Sequence, residues 1–94
     1  MKVQVSAAAR RDIARLSAFL GGRSATVANR ALDAIEAALF SLSEMADRGY
    51  RGPREGERQL FVAFGRAGYV IQYEVTPSAV TILRIFHALE DRRP

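Results

Sequence analysis

Hydrophobic residues recur with a helical period in the first half of the chain and with a period of two in the second half. Alternation over 2–5 predicts a short edge strand, and Ser6 is placed to cap a helix that ends at Gly21-Gly22. The apolar stripe of this helix consists of Ala9, Ile13, Leu16 and Leu20. The polar residues expected to lie largely off the stripe are Arg10, Arg11, Asp12 and Arg15.

A second amphipathic helix is predicted only a few residues later. Ser24 is placed to cap it, and the helical period continues for about six turns to Ala46. Its apolar positions are Ala28, Ala31, Leu32, Ile35, Leu39, Leu42 and Ala46. Because a short connection joins antiparallel neighbours, the two helices are predicted to pack as a hairpin.

The second half of the chain has the pattern of a sheet. After a polar loop over 47–57, strands are predicted over 58–64, 69–75 and 80–88, with turns at 65–68 and 76–79. The last strand is apolar on both faces, which is typical of a central strand covered on both sides. The predicted fold is a single α+β domain over 1–94 in the order β-α-α-β-β-β, with the helical hairpin packed on a mainly antiparallel sheet.

Composition narrows the possible environments and partners. The chain has 94 residues, 49% of them hydrophobic, and no cysteine, which excludes disulfides and thiolate metal sites. No apolar segment has the length of a signal peptide or a membrane span, so we expect a cytoplasmic protein without membrane contact. The net charge of +4 favours an acidic partner, such as nucleic acid, a ribosome or an acidic protein surface.

Two residues of the last strand are candidates for chemistry. Arg84 lies within an apolar run, where an arginine is costly unless it has a partner or faces a functional groove; a cross-strand pair with Glu74 is the structural alternative. His87, the single histidine, is a candidate general acid or base, or else a strand-end residue bonded to the backbone. A regular strand places Arg84 on one face with Val80 and Ile82, and His87 on the other. No metal or cofactor is expected, because no second histidine or cysteine accompanies His87.

Other candidates lie in the loops and at the ends of strands. The arginines expected to form a basic rim around the sheet are Arg51, Arg54, Arg58, Arg66, Arg92 and Arg93. Tyr69 and Tyr73 share a face and are placed either to stack on a base or to pack in the core. For any single arginine of the rim, a solvated surface position is the simpler explanation.

Taken together, these segments resemble the RelE/ParE superfamily of toxins from type II toxin–antitoxin modules. The features that match are the early strand followed by SAAARRDIARLSAFL, the helical hairpin, the Arg58–Leu60 strand start, YVIQYEV, and ILRIFHALEDR. The last segment follows the family pattern V-x-I-L-R-V-x-H-x-x-x-D, with Arg84, His87 and Asp91 in register. The resemblance extends over nearly the whole chain.

The resemblance implies a growth-inhibiting toxin that a cognate antitoxin neutralises in a hetero-oligomer, as in plasmid-stabilisation systems. RelE-like members cut mRNA on the ribosome, and in that case Arg58 and Arg84 would stabilise charge while His87 or Glu90 moved protons. ParE-like members inhibit DNA gyrase and are not nucleases. The R-I-F-H ending is more similar to the ParE branch, and no lysine follows Lys2, so we favour gyrase as the target.

Under the favoured interpretation the same region binds rather than cuts. The residues expected to contact the target or the antitoxin are Arg51, Arg54, Arg58, Tyr73, Arg84 and Arg92. A nucleic-acid-binding domain without catalysis is a third possibility, and it requires salt-sensitive affinity for DNA or RNA.

Overall fold

A computed structural model of the chain describes residues 1–90 and shows two helices packed on a five-stranded sheet. The strands are β1 Lys2–Val5, β2 Tyr50–Arg51, β3 Glu57–Phe64, β4 Ala67–Val75 and β5 Ala79–His87. The helices are α1 Ala7–Gly21 and α2 Ala25–Glu44. The predicted α+β class and helical hairpin are confirmed, and the order of elements differs only by the two-residue strand β2.

Both helices begin where the sequence predicts. The Ser6 hydroxyl accepts a hydrogen bond from the Ala9 N–H at 3.0 Å, and the Ser24 hydroxyl accepts one from the Val27 N–H at 3.2 Å. Each serine thereby satisfies a donor that the first helical turn leaves without a partner. The predicted end of α2 at Ala46 is wrong by two residues, because Met45 leaves the helical backbone at φ −130° and ψ 76°.

The sheet brings the first and last strands of the described chain together. Its strand order is β1-β5-β4-β3-β2, in which β1 pairs with β5 in parallel and all other neighbours are antiparallel. The antiparallel β3–β4–β5 meander thus lies between a short parallel strand and the small strand β2. Within residues 1–90, no helix is long and apolar enough to span a membrane.

The two helices cover the same face of the sheet. The largest fully buried side chains of the resulting core include Ile35, Leu42, Ile71, Ile82 and Ile85. The opposite face, which we call the open face, carries the alternate side chains of β4 and β5, including the Val70–Phe86 and Gln72–Arg84 pairs. No helix within residues 1–90 packs on this face. The expectation that the last strand is covered on both sides is therefore wrong for the part of the chain described.

An irregularity in β5 changes which of its residues face the helices. Gln72 lies opposite Arg84, but the next residue of β4, Tyr73, lies opposite Ile82, so Leu83 is an extra residue in β5. A single extra residue reverses the alternation of side chains beyond it. Ile82 and Ile85 consequently share the core face, and Arg84 does not share a face with Ile82 as a regular strand would require.

Candidate functional site

The outer edge of β5 is covered by a strand over only half of its length. β1 ends with Val5 opposite Ile82, and Ser6 then donates its N–H to the Ile82 carbonyl at 3.0 Å. The Ser6 hydroxyl donates to the Leu83 carbonyl, also at 3.0 Å. Beyond Leu83 no strand pairs with this edge in the described chain, so its main-chain polar groups need other partners.

Asp12 of α1 supplies the first of these partners. Asp12 is buried, with only 3% of its surface exposed, and its carboxylate accepts a hydrogen bond from the Ile85 N–H at 2.8 Å. Arg84 adds two hydrogen bonds to the same carboxylate, from Nε to Oδ2 at 2.8 Å and from Nη2 to Oδ1 at 3.0 Å. Arg15, one turn along α1, also donates to Oδ1 at 3.1 Å. Four hydrogen bonds thus converge on one buried carboxylate.

Arg15 and Glu90 complete the cover of the edge. Arg15 Nη1 donates to Glu90 Oε2 at 2.6 Å, and its Nη2 also reaches the Ile85 carbonyl at 3.3 Å. Glu90 Oε1 accepts the His87 N–H at 2.8 Å. We call the four charged residues Asp12, Arg15, Arg84 and Glu90 the edge network, because their side chains occupy the place of a neighbouring strand.

The network keeps its carboxylates ionised at neutral pH. Burial alone would raise the pKa of Asp12, but hydrogen bonds from Arg84, the Ile85 N–H and Arg15 hold the pKa below its ordinary value of 3.8. The pKa of Glu90 is likewise lowered from 4.5, because the His87 N–H and Arg15 outweigh its burial. The hydrogen bond to Asp12 raises the pKa of Arg84 in turn.

Arg84 also rests on an aromatic ring of the open face. Its guanidinium carbon lies 4.6 Å from the centroid of the Phe86 ring, and its side chain remains 45% exposed. Arg84 does not pair with Glu74, the structural alternative that the sequence suggested; Gln72 is the residue opposite it on β4. Arg84 is therefore held by Asp12 and Phe86 while much of its surface stays accessible.

His87 faces the helices, on the other side of the sheet from Arg84. Its ring meets the Tyr69 ring edge-on at 5.7 Å, and its Nδ1 accepts the Leu89 N–H at 3.2 Å. Because Nδ1 acts as an acceptor, a neutral His87 carries its proton on Nε2. The ring lines a mostly apolar groove of about 440 Å³, together with Leu16, Phe19, Leu20, Tyr69 and Leu89. The structure thus links Arg84 and His87 only indirectly, through the edge network.

Arg58 and Tyr73 hold the loop between α2 and β2 in place. Arg58 Nη1 donates to the carbonyls of Gly49, at 2.7 Å, and Asp47, at 3.1 Å. The Tyr73 hydroxyl donates to the Ala46 carbonyl and accepts the Gly49 N–H, both at 2.9 Å. Tyr73 is fully buried, which favours a structural role over the partner contact expected from the sequence.

The remaining predicted site residues lie apart from the edge network. Arg51 and Arg54 are exposed beside Arg58, around a second groove of about 460 Å³ that also includes Glu55 and Glu57. Arg92, and Asp91 of the family pattern, lie outside the described residues. Within residues 1–90, no cluster of histidine and carboxylate side chains is suited to hold a metal ion.

Asp12 and Arg15 are the residues of the site that the sequence analysis missed, and Asp12 gives the clearer signal. Its spacing from Ala9 and Leu16 matches the helical period, so it lies on the apolar face of α1 and not beside it. A lone acidic residue at stripe spacing is a signal for a buried ion pair, because burial of an unpaired carboxylate is costly. Its partner Arg84 was already conspicuous as the one charged residue of an apolar strand.

Comparison with known proteins gives consistent results. Residues 3–92 match the sequence model of the family described as the ParE toxin of type II toxin–antitoxin system, parDE. Toxin RelE3 of Caulobacter vibrioides is 42% identical over 90 residues, which cover 96% of this chain and 97% of that protein. Toxin RelE1 of the same organism is 41% identical over 90 residues, which cover 96% of this chain and 96% of that protein.

The fold also has a counterpart among solved structures. A chain of the chromosomal ParDE TA system from P. aeruginosa superposes with a TM-score of 0.76 over 94% of this chain and 96% of that one. The two sequences are 22% identical, so this likeness concerns the arrangement of helices and strands.

Proposed function

Because the chain belongs to the ParE toxin family of type II toxin–antitoxin systems, we propose that it inhibits growth by binding DNA gyrase, not by cutting RNA. The family implies a cognate antitoxin as its partner. Gyrase is a cytoplasmic enzyme, so we place the action of the toxin in the cytoplasm.

The observation that supports binding over cleavage is the separation of the three candidate catalytic residues. Cleavage of RNA at a ribose 2′-hydroxyl needs a base, an acid and a charge-stabilising group converging on one phosphate. Here Arg58 is bonded to loop carbonyls, Arg84 to Asp12, and the His87 ring packs on the opposite face from Arg84. A site built from all three would require β5 and the 46–49 loop to rearrange.

The choice of gyrase rests on the resemblance of the R-I-F-H ending to the ParE branch, together with the match to the ParE family. The names of the two Caulobacter relatives favour the alternative, a RelE-like ribosome-dependent mRNA endonuclease. In that case His87 or Glu90 would move protons, and Glu90 already accepts the His87 main-chain N–H.

Induction of the toxin without its antitoxin in a bacterial host separates these functions. We expect pulse-labelled protein synthesis to continue during the first minutes while DNA breaks accumulate, and purified toxin to inhibit supercoiling by gyrase. His87→Gln should retain growth inhibition, because the ring has no chemical role in this mechanism. An immediate stop in translation that His87→Gln abolishes would contradict the proposal and indicate the endonuclease. Salt-sensitive binding of DNA or RNA by the toxin alone, with neither effect, would indicate a nucleic-acid-binding domain.

A further inference from the structure

We propose that Asp12 is a positioning residue of the toxin: it holds Arg84 in one pose on the open face, where the free side of the guanidinium binds a carboxylate on the target protein. The inference rests on the proposed function only in requiring a protein target. It does not depend on which protein that is.

The geometry leaves one side of the guanidinium available. Asp12 engages Nε and Nη2 of Arg84, which form one edge of the planar group. Nη1 lies on the opposite edge and forms no hydrogen bond within residues 1–90. The Phe86 ring under the guanidinium restricts its remaining freedom. A donor fixed in this way loses little conformational entropy when a partner binds.

Closing the sheet edge does not by itself require Arg84. The Ile85 N–H needs only an acceptor, and Arg15 already supplies Asp12 with a counter-charge. An ion pair with Arg15 alone would leave position 84 available for an uncharged residue suited to a strand. The exposed arginine is therefore an addition to the edge network that the stability of the edge does not explain.

The surroundings of Arg84 on the open face favour a protein carboxylate as its ligand. Phe61 of β3 is half-exposed on the same face, beside the buried Val70–Phe86 pair, and adds an apolar contact next to the guanidinium. The charged residues that the strand register places on this face are Lys2, Glu57, Glu74 and Arg84. Their formal charges cancel, and a surface of this kind does not suit a polyanionic nucleic acid.

Asp12→Asn tests the proposal, because asparagine preserves the shape and one acceptor for the Ile85 N–H but removes the charge and the bidentate contact. The matched control is Ser24→Ala, which removes the cap of α2 far from the edge network. Growth inhibition is measured per amount of folded toxin, with circular dichroism and thermal unfolding as checks on the fold. The ¹⁵N resonance of Arg84 Nε reports directly on its order.

We expect Asp12→Asn to weaken growth inhibition at least tenfold and to broaden the Arg84 Nε resonance, whereas Ser24→Ala changes neither. Asp12→Asn combined with Arg84→Ala should be no weaker than Arg84→Ala alone, because both remove the same positioned donor. Should Asp12→Asn fail to fold, Arg84→Lys takes its place, since lysine keeps the charge but not the bidentate geometry.

Three results would overturn the proposal: a loss of inhibition no greater than that of Ser24→Ala, additive losses in the double variant, or full activity of Arg84→Lys. Target affinity that Arg84→Ala abolishes but that falls steeply with salt would point to a phosphate ligand in place of the carboxylate. Failure of the gyrase assay alone would leave these comparisons intact, because growth inhibition and the resonance report on Arg84 for any protein target.

Discussion

At the scale of single residues, Asp12 contributes more to this fold than its size suggests. It lies on the apolar face of α1 and accepts hydrogen bonds from both a main-chain N–H of β5 and two arginines. A buried carboxylate with this many donors is stabilising only while it is charged. The stability of the whole domain should therefore depend on pH through this residue.

We predict that the free energy of unfolding decreases in the acid range, as Asp12 becomes protonated. A carboxyl whose pKa is lowered in the folded state stabilises the fold above its unfolded value of 3.8, and this stabilisation is lost as the pH falls through the folded pKa. Asp12→Asn should cost about 1–3 kcal/mol at pH 7, moderated by the half-exposed Arg84, and this cost should shrink as the pH falls through the folded pKa of Asp12. Urea unfolding at several pH values measures this; a constant difference between the proteins would contradict it.

At the scale of elements, the hairpin between β3 and β4 depends on close contact between its two backbones. Gly68 has a φ of +137° and lies opposite Ala63, and a Cβ at this position would collide with the Val62 carbonyl. The turn can therefore accept no side chain here without separating the strands. Glycine is thus required at position 68, where the first residues of β4 pair closely with the end of β3.

Gly68→Ala is expected to destabilise the protein by more than about 2 kcal/mol, because it combines backbone strain with a collision against main chain. Gly21→Ala is the matched control: it lies at the end of α1 with open space around it, and alanine there should be neutral or stabilising by about 0.5–1 kcal/mol. Thermal unfolding of both variants measures the difference. Equal midpoints would show that the hairpin adapts to a side chain.

The elements also show which parts of the structure a sequence can predict. Ser6, Ser24 and the alternation of β3 and β4 are local signals, and they placed the helices and the meander correctly. The extra residue Leu83 could not be predicted. Hydrophobic residues occupy both odd and even positions of VTILRIF (80–86), so the sequence does not indicate which alternate set faces the core. For the same reason the site residue Arg84 was assigned to the wrong neighbours, although its importance was predictable from its charge.

At the scale of the whole molecule, hydrophobic surface is distributed over several sides. The large apolar side chains that are more than half exposed include Phe19, Phe40, Tyr50, Phe61 and Leu89. Phe61 lies on the open face, whereas Phe19 and Leu89 line the groove beside His87. An isolated domain with this much exposed aromatic surface is prone to association, and a bound antitoxin would cover part of it.

We therefore predict that co-expression with the cognate antitoxin increases the soluble yield of the toxin severalfold and lowers its binding of a hydrophobic dye. A non-cognate antitoxin of similar size is the control for a general effect of co-expression. Soluble fraction and dye fluorescence are measured on matched lysates and purified samples. Equal yields with and without the cognate antitoxin would indicate that the exposed surface is tolerated in the free toxin.

The parallel pairing of β1 with β5 has a consequence for the time at which the toxin becomes active during synthesis. Ser6 bonds to Leu83, a residue 77 positions later, so the first strand has no partner in the sheet until the last strand has been made. A contact this distant in sequence also carries a large loop-closure cost, which slows its formation. The edge that Asp12 closes, and with it the pose of Arg84, therefore forms only after nearly the whole described chain has left the ribosome. On the proposal for Arg84, we therefore expect the nascent toxin to stay inactive until synthesis is nearly complete, when an antitoxin already present can bind it.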